Sequence, residues 1–190
     1  MFEDLTIIHY PDPRLKLVGK PVETFDASLK ELTARMFDLM RKHRGVGLAA
    51  PQVGVNLRLF VTNHTGKLED DRVYVNPELF DLTGAESDEE GCLSLPEINA
   101  SIDRAITLRI VAKDVEGNPI DQTETGYVAR IWQHEFDHLN GILLLDRMGP
   151  VAKMTHRKTI RALEDTWKEA HPAPPAKPAK KPLLRRRRSS

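Results

Sequence analysis

His134-Glu135-Phe136-Asp137-His138 is an H-E-x-x-H run. Four residues are just over one helical turn, so in a helix both imidazoles project from one face and can hold one ion. Glu135 is then displaced round the helix toward an open coordination position. Asp137 sits one residue off the ligand face and reads as a brace for the helix rather than a ligand. A catalytic ion needs a third protein ligand and one position left for water. The single cysteine, Cys92, lies in Glu90-Gly91-Cys92-Leu93-Ser94. A lone cysteine is most often a small buried hydrophobe, but beside two histidines at ligand spacing a thiolate ligand is the better reading. These ligand types alone point to zinc. In a third segment, Gly45-Val46-Gly47-Leu48-Ala49-Ala50-Pro51-Gln52, small residues let the backbone approach a neighbour closely. Gln52 there offers an amide that both donates and accepts. A turn after a helix also accounts for Gly45.

These residues need elements to carry them. Residues 9–22, with prolines at 11, 13 and 21, read as an extended, turn-rich arm wrapped on the domain. Asp26 is an N-cap for a helix in which Leu29, Leu32, Met36, Leu39 and Met40 recur at helical spacing, with Gly45 as its C-cap. Residues 57–63 and 73–76 read as strands, 104–113 alternates as a third, and Leu93 to Leu95 can start another. Glu116-Gly117-Asn118 is a turn. The H-E-x-x-H run falls in a helix over about 126–139, followed by the apolar run Ile142 to Leu145. A last helix, over about 153–169, puts Ile160, Leu163 and Trp167 on one face. The mixed order of elements favours an α+β fold over a parallel α/β sheet.

Taken together, the three segments resemble the motifs of the peptide deformylase family: GVGLAAPQ at 45–52, EGCLS at 90–94 and QHEFDHLNG at 133–141, in the family's order. The opening YPDPRL and the following GKPV are similar to the family's usual start, so the resemblance covers about residues 5–168. It implies a compact single domain of mixed and antiparallel sheets packed around a central metal-bearing helix, with a C-terminal helix. It implies a metal-dependent hydrolase that removes the N-formyl group from the formyl-methionine of newly made proteins, yielding formate. By the same resemblance Cys92, His134 and His138 hold the ion and Glu135 is the general acid/base. Gln52 and the backbone N–H of Leu93 form the oxyanion site. The family's ion is iron(II), replaceable by zinc, nickel or cobalt. Gly47 and the second motif close the site tightly around a group no larger than formyl. Val46, Tyr127, Ile131 and the stem of Arg130 are candidates for the methionine pocket, with ordinary core packing as the competing role for each. The acidic Asp88 and the arginine-rich end depart from the family pattern.

Composition sets the remaining bounds. The 190 residues, 40% hydrophobic and 29% charged, suit one domain with a short appendage. No apolar run approaches the ~20 residues that span a bilayer. Met1 to Tyr10 lacks the layout of a secretory or transit segment, so a cytoplasmic monomer is expected. A net charge of zero hides an asymmetry, because residues 171–190 hold seven Lys/Arg and no acid. The expected division is a catalytic domain over 1–170 and a disordered basic tail over 171–190. Such a tail suits polyanions, and for an enzyme of nascent chains the natural polyanion is ribosomal RNA. Two rivals exist. A zinc endopeptidase needs a further histidine or glutamate ligand, where this chain has Asn140 and Gly141 after His138. A structural metal module that binds RNA through the tail needs no hydrolysis at all.

Overall fold

The computed structural model describes residue 2 and residues 4–172. A five-stranded antiparallel sheet is built from β1 (Gly47–Ala49), β2 (Leu59–Thr62), β3 (Arg72–Thr83), β6 (Thr107–Lys113) and β7 (Pro119–Thr125), in that spatial order. A separate antiparallel hairpin joins β4 (Glu86–Cys92) to β5 (Leu95–Arg104). The helices are α1 (Ala27–Lys42), α2 (Tyr127–Leu139), α3 (Leu144–Arg147), α4 (Pro150–Thr155) and α5 (Arg157–Ala170). This is the α+β class expected.

The alternation of side chains along each strand sorts the core into layers. Leu48, Leu59, Val61 and Val75 face α1, whose Leu29, Leu32, Met36 and Met40 complete one cluster. Their neighbours Ala49, Phe60 and Tyr74 point the other way, onto Ala129, Trp132 and Leu139 of α2. Fully burying a side chain such as Met36 or Leu32 is worth about 1.5–3 kcal/mol. The hairpin closes the opposite side of α2. Its Leu95, Ile98, Ala100 and Ile102 pack with Leu144 and Met148, and Ile160 and Leu163 of α5 lean on the same cluster. The helix with the H-E-x-x-H run is thus held between a sheet and a hairpin, with Arg130, His134, Asp137 and His138 reaching the hairpin.

The arm over 9–22 wraps as expected and ties the site segments together. Within it Tyr10 N–H donates to the Ser94 carbonyl at 2.9 Å and Gly19 N–H to the Leu139 carbonyl at 2.8 Å, and just ahead of it Ile8 N–H donates to the Gln52 carbonyl at 2.8 Å. Asp26 Oδ1 caps α1 by accepting from Leu29 N–H.

Four expectations change. The left-handed position after α1 is taken by Arg44 at φ 56°, not by Gly45; Gly45 is small for another reason, since a Cβ there would lie 2.8 Å from Leu93 Cδ1. The strand at 73–76 runs on to Thr83 because positive φ at Asn76 and Asp81, with register shifts, lets β3 bend and keep pairing. The strand expected over 104–113 is divided, Arg104 ending β5 and Thr107 opening β6. The last helix is two, broken at His156. Of the expected tail, residues 173–190 lie outside the described residues. Among the described residues no helix is long and apolar enough to cross a membrane.

Candidate metal centre

His134 and His138 stand one turn apart on α2, with ring centroids 5.1 Å apart. Across from them the end of β4 delivers Cys92, whose Sγ is 3.3 Å from His138 Nε2. Ligand atoms of Cys92, His134 and His138 all lie within 4.8 Å of one another. A sulfur and two imidazole nitrogens at that spacing suit one transition-metal ion. His134 Nδ1 is 2.9 Å from Glu90 Oε2. Since a carboxylate only accepts, this bond puts the proton on Nδ1 and leaves Nε2 free as a ligand atom.

Glu90 anchors this arrangement. Arg104 grips both its oxygens at 2.9 Å and Arg130 Nη1 adds a third bond at 2.9 Å. Burial acts to raise the Glu90 pKa, but the bonds to His134 and Arg104 outweigh it and hold the carboxyl at about 2. Asp137, read as a brace, is one. It accepts from Arg104 Nη1 at 2.6 Å and from Nε and Nη2 of Arg147, at 2.9 and 2.5 Å. Burial acts to lower the His134 pKa, yet the Cys92 sulfur and Glu90 carry it well above the ordinary value. Burial, then the charges of His134 and Arg104, push His138 well below.

Glu135 is 4% exposed, and among the described residues its Oε2 has no hydrogen-bond partner. Burial pushes its pKa up to about 7, which suits proton transfer near neutral pH. Gly47 lets this carboxyl lie against backbone, since a Cβ there would come within 2.8 Å of Glu135 Cδ. Gln52 is buried and fixed at both ends. Its Oε1 accepts from Ala49 N–H at 2.8 Å, and its Nε2 donates to Ser94 Oγ at 3.3 Å and to Cys92 Sγ at 3.5 Å. Leu93 occupies the turn between β4 and β5, beside Gly45.

Gln52, Glu90, Cys92, Leu93, His134 and Glu135 line a cleft of about 630 Å³ together with Val46, Gly47, Tyr127 and Ile131, while His138 is buried outside its walls. Arg130 lines it too, but its guanidinium is spent on Glu90 and on the carbonyls of Ile102 and Glu86. Residue types at motif spacing point to Cys92, His134, Glu135 and His138; they give no role to Glu90, Arg104 or Ser94, and the hold of the Arg130 guanidinium on Glu90 differs from the pocket role expected for its stem. A signal existed for Glu90, which is two residues from Cys92 in one strand.

Replacing Gly47 by alanine is expected to displace the Glu135 carboxyl. Misplacing a catalytic group by about 1 Å costs up to about 100-fold, so Gly47→Ala should lose about 10- to 100-fold in kcat. Bound metal should stay at the parental level; kcat beside metal content on one sample checks this.

A helix carrying two imidazoles and a carboxyl, clamped between a sheet and a cysteine-bearing hairpin, defines a class, the metal-dependent hydrolases. The model of the polypeptide deformylase family matches residues 4–154. A peptide deformylase of Rhodopirellula baltica is 44% identical over 147 residues, 76% of this chain and 73% of its own. The structure of a peptide deformylase from Plasmodium falciparum superposes with a TM-score of 0.85 at 36% identity, covering 88% of this chain and 100% of that one. One from Legionella pneumophila gives 0.80 at 42% identity, with 90% and 99% covered. The chain belongs to the polypeptide deformylase family, hydrolases that remove the N-formyl group from nascent peptides.

Proposed function

We propose that Cys92, His134 and His138 hold one iron(II) ion, replaceable by zinc, nickel or cobalt, and that Glu135 moves the protons of N-formyl-methionine hydrolysis. The observation that carries this is the convergence of three ligand atoms within 4.8 Å beside a buried carboxyl whose Oε2 is unpaired among the described residues. A bound ion supplies Lewis acidity and lowers the pKa of water in the cleft. Glu135 accepts the proton of the water that attacks the formyl carbon. Gln52 Nε2 and the Leu93 N–H donate to the oxyanion that develops on the formyl oxygen, where one such donor is worth about 3 kcal/mol. Glu135 then returns the proton to the departing amine, so formate and a free N-terminus leave.

Substrate selection follows from the walls. Gly47 and the second motif close around a formyl group, which carries hydrogen where other acyl groups carry carbon. Val46 and Ile131 receive the methionine side chain. The experiment is anaerobic purification, metal analysis and a formyl-Met-Ala-Ser assay on one sample. The expected result is near one iron per chain with formate release; zinc alone at full activity overturns the choice of ion. Cleavage of casein instead of the formyl peptide favours the endopeptidase reading.

The catalytic unit is assigned to 1–170 of a cytoplasmic monomer, and the basic stretch 171–190, seven Lys/Arg without an acid, to contact with ribosomal RNA. Deleting 171–190 is expected to abolish salt-sensitive co-sedimentation with ribosomes and leave hydrolysis of a formyl tripeptide unchanged. Unchanged co-sedimentation counts against the tail.

A further inference from the structure

Behind the histidines, buried charges make one continuous path to the surface. Arg147, on α3, has 45% of its side chain exposed and donates through Nε and Nη2 to both oxygens of Asp137. Asp137 Oδ2 also accepts from Arg104 Nη1 at 2.6 Å. Arg104 presents its remaining edge, Nε and Nη2, to Glu90, and Glu90 Oε2 meets His134 Nδ1. Arg104, Asp137 and Glu90 are all buried.

A guanidinium is planar, and its N–H groups form a rigid fork. Arg104 therefore cannot turn toward one carboxylate without tilting away from the other. Asp137 is a fixed post because Arg147 holds both its oxygens. Without Arg147, Asp137 is a buried carboxylate with one cationic partner left, and the remaining attraction draws Arg104 toward it. That motion loosens the paired grip on Glu90 and, through Glu90, the orientation of the His134 ring. Arg130 Nη1 gives Glu90 a second hold at 2.9 Å, so the ring is loosened rather than released.

We propose that Arg147 is a positioning residue for His134, acting through Asp137, Arg104 and Glu90, and that its role is to slow loss of the ion. The inference rests on His134 being a metal ligand. A direct partner of a ligating histidine is worth about 10–100-fold in metal affinity. Arg147 stands three contacts further out, so a smaller effect is expected.

The test is release of zinc from the zinc-loaded full chain into excess chelator. Arg147→Ala should release zinc about fivefold faster than the parent. Arg147→Lys keeps the charge without the paired fork and should fall near about twofold. In a Glu90→Gln background Arg147→Ala should add nothing. A second measurement is the His134 Nδ1–H proton resonance of the zinc-loaded protein, which should move in Arg147→Ala. Parental release with an unmoved resonance overturns the role of Arg147. The full fivefold effect surviving in the Glu90→Gln background overturns the path, because general loosening of the fold acts in both backgrounds. A parent that retains no zinc overturns the reading of the site itself.

Discussion

Glu135→Gln is expected to keep its metal and lose about 10²–10⁴-fold in kcat, the range a positioned general acid/base contributes. The two side chains have the same shape, so Gln still packs against Gly47, where a Cβ would come within 2.8 Å of Glu135 Cδ. The difference is chemical, because an amide neither takes the proton of the attacking water nor returns it to the leaving amine. The ligand atoms belong to Cys92, His134 and His138, so metal content should not move. Formate release at saturating formyl peptide, measured beside metal content, checks both halves. Turnover near the parental rate would sink the assignment of Glu135. Loss of metal together with turnover would transfer Glu135 from proton carrier to support of the ion.

The motif residues were legible because their spacing is local. Four residues on α2 bring His134 and His138 together whatever surrounds them, and the helix expected over 126–139 is Tyr127–Leu139. Asp26 as the cap of α1 is also a short-range matter of one side chain and one N–H three residues on. What spacing does not carry is the position of Cys92. It reaches the histidines because β4 pairs with β5, and β4 is hard to see in a sequence. Of its seven residues, Glu86 to Cys92, only Glu90 is buried, so the strand has no apolar alternation. Its inward residue is a carboxylate that folds inward because Arg104 and Arg130 await it, 14 and 40 residues further along the chain. A buried ion pair of this kind looks like exposed surface until both partners are placed. β5 was legible in principle, since Ile98, Ala100, Ile102 and Arg104 alternate with exposed neighbours. Taking Arg104 as the start of the following strand hid both the hairpin and the network behind the ion.

The sulfur is where the motifs meet, which makes its removal the most informative companion to Glu135→Gln. Cys92 Sγ contacts His138 Nε2 at 3.3 Å and accepts from Gln52 Nε2 at 3.5 Å. Serine in its place offers a smaller hydroxyl that stays protonated and supplies no negative charge. The two imidazoles are left as the protein ligands from this set. Because losing the outer partner of a ligand costs about 10–100-fold in affinity, losing a ligand itself should cost more than about 100-fold. Cys92→Ser should therefore leave a desalting column with well under one ion per chain, and its formate release should fall in proportion to the metal lost or further. The fold should survive, because Glu90 keeps its bonds to Arg104, Arg130 and His134 and Cys92 itself is only partly buried. The two variants then fail differently: Glu135→Gln is loaded and inactive, whereas Cys92→Ser is inactive because it is empty. Adding excess metal should recover part of the turnover of Cys92→Ser and none of that of Glu135→Gln. Full metal retention with parental turnover in Cys92→Ser would return this sulfur to the ordinary role of a small core residue.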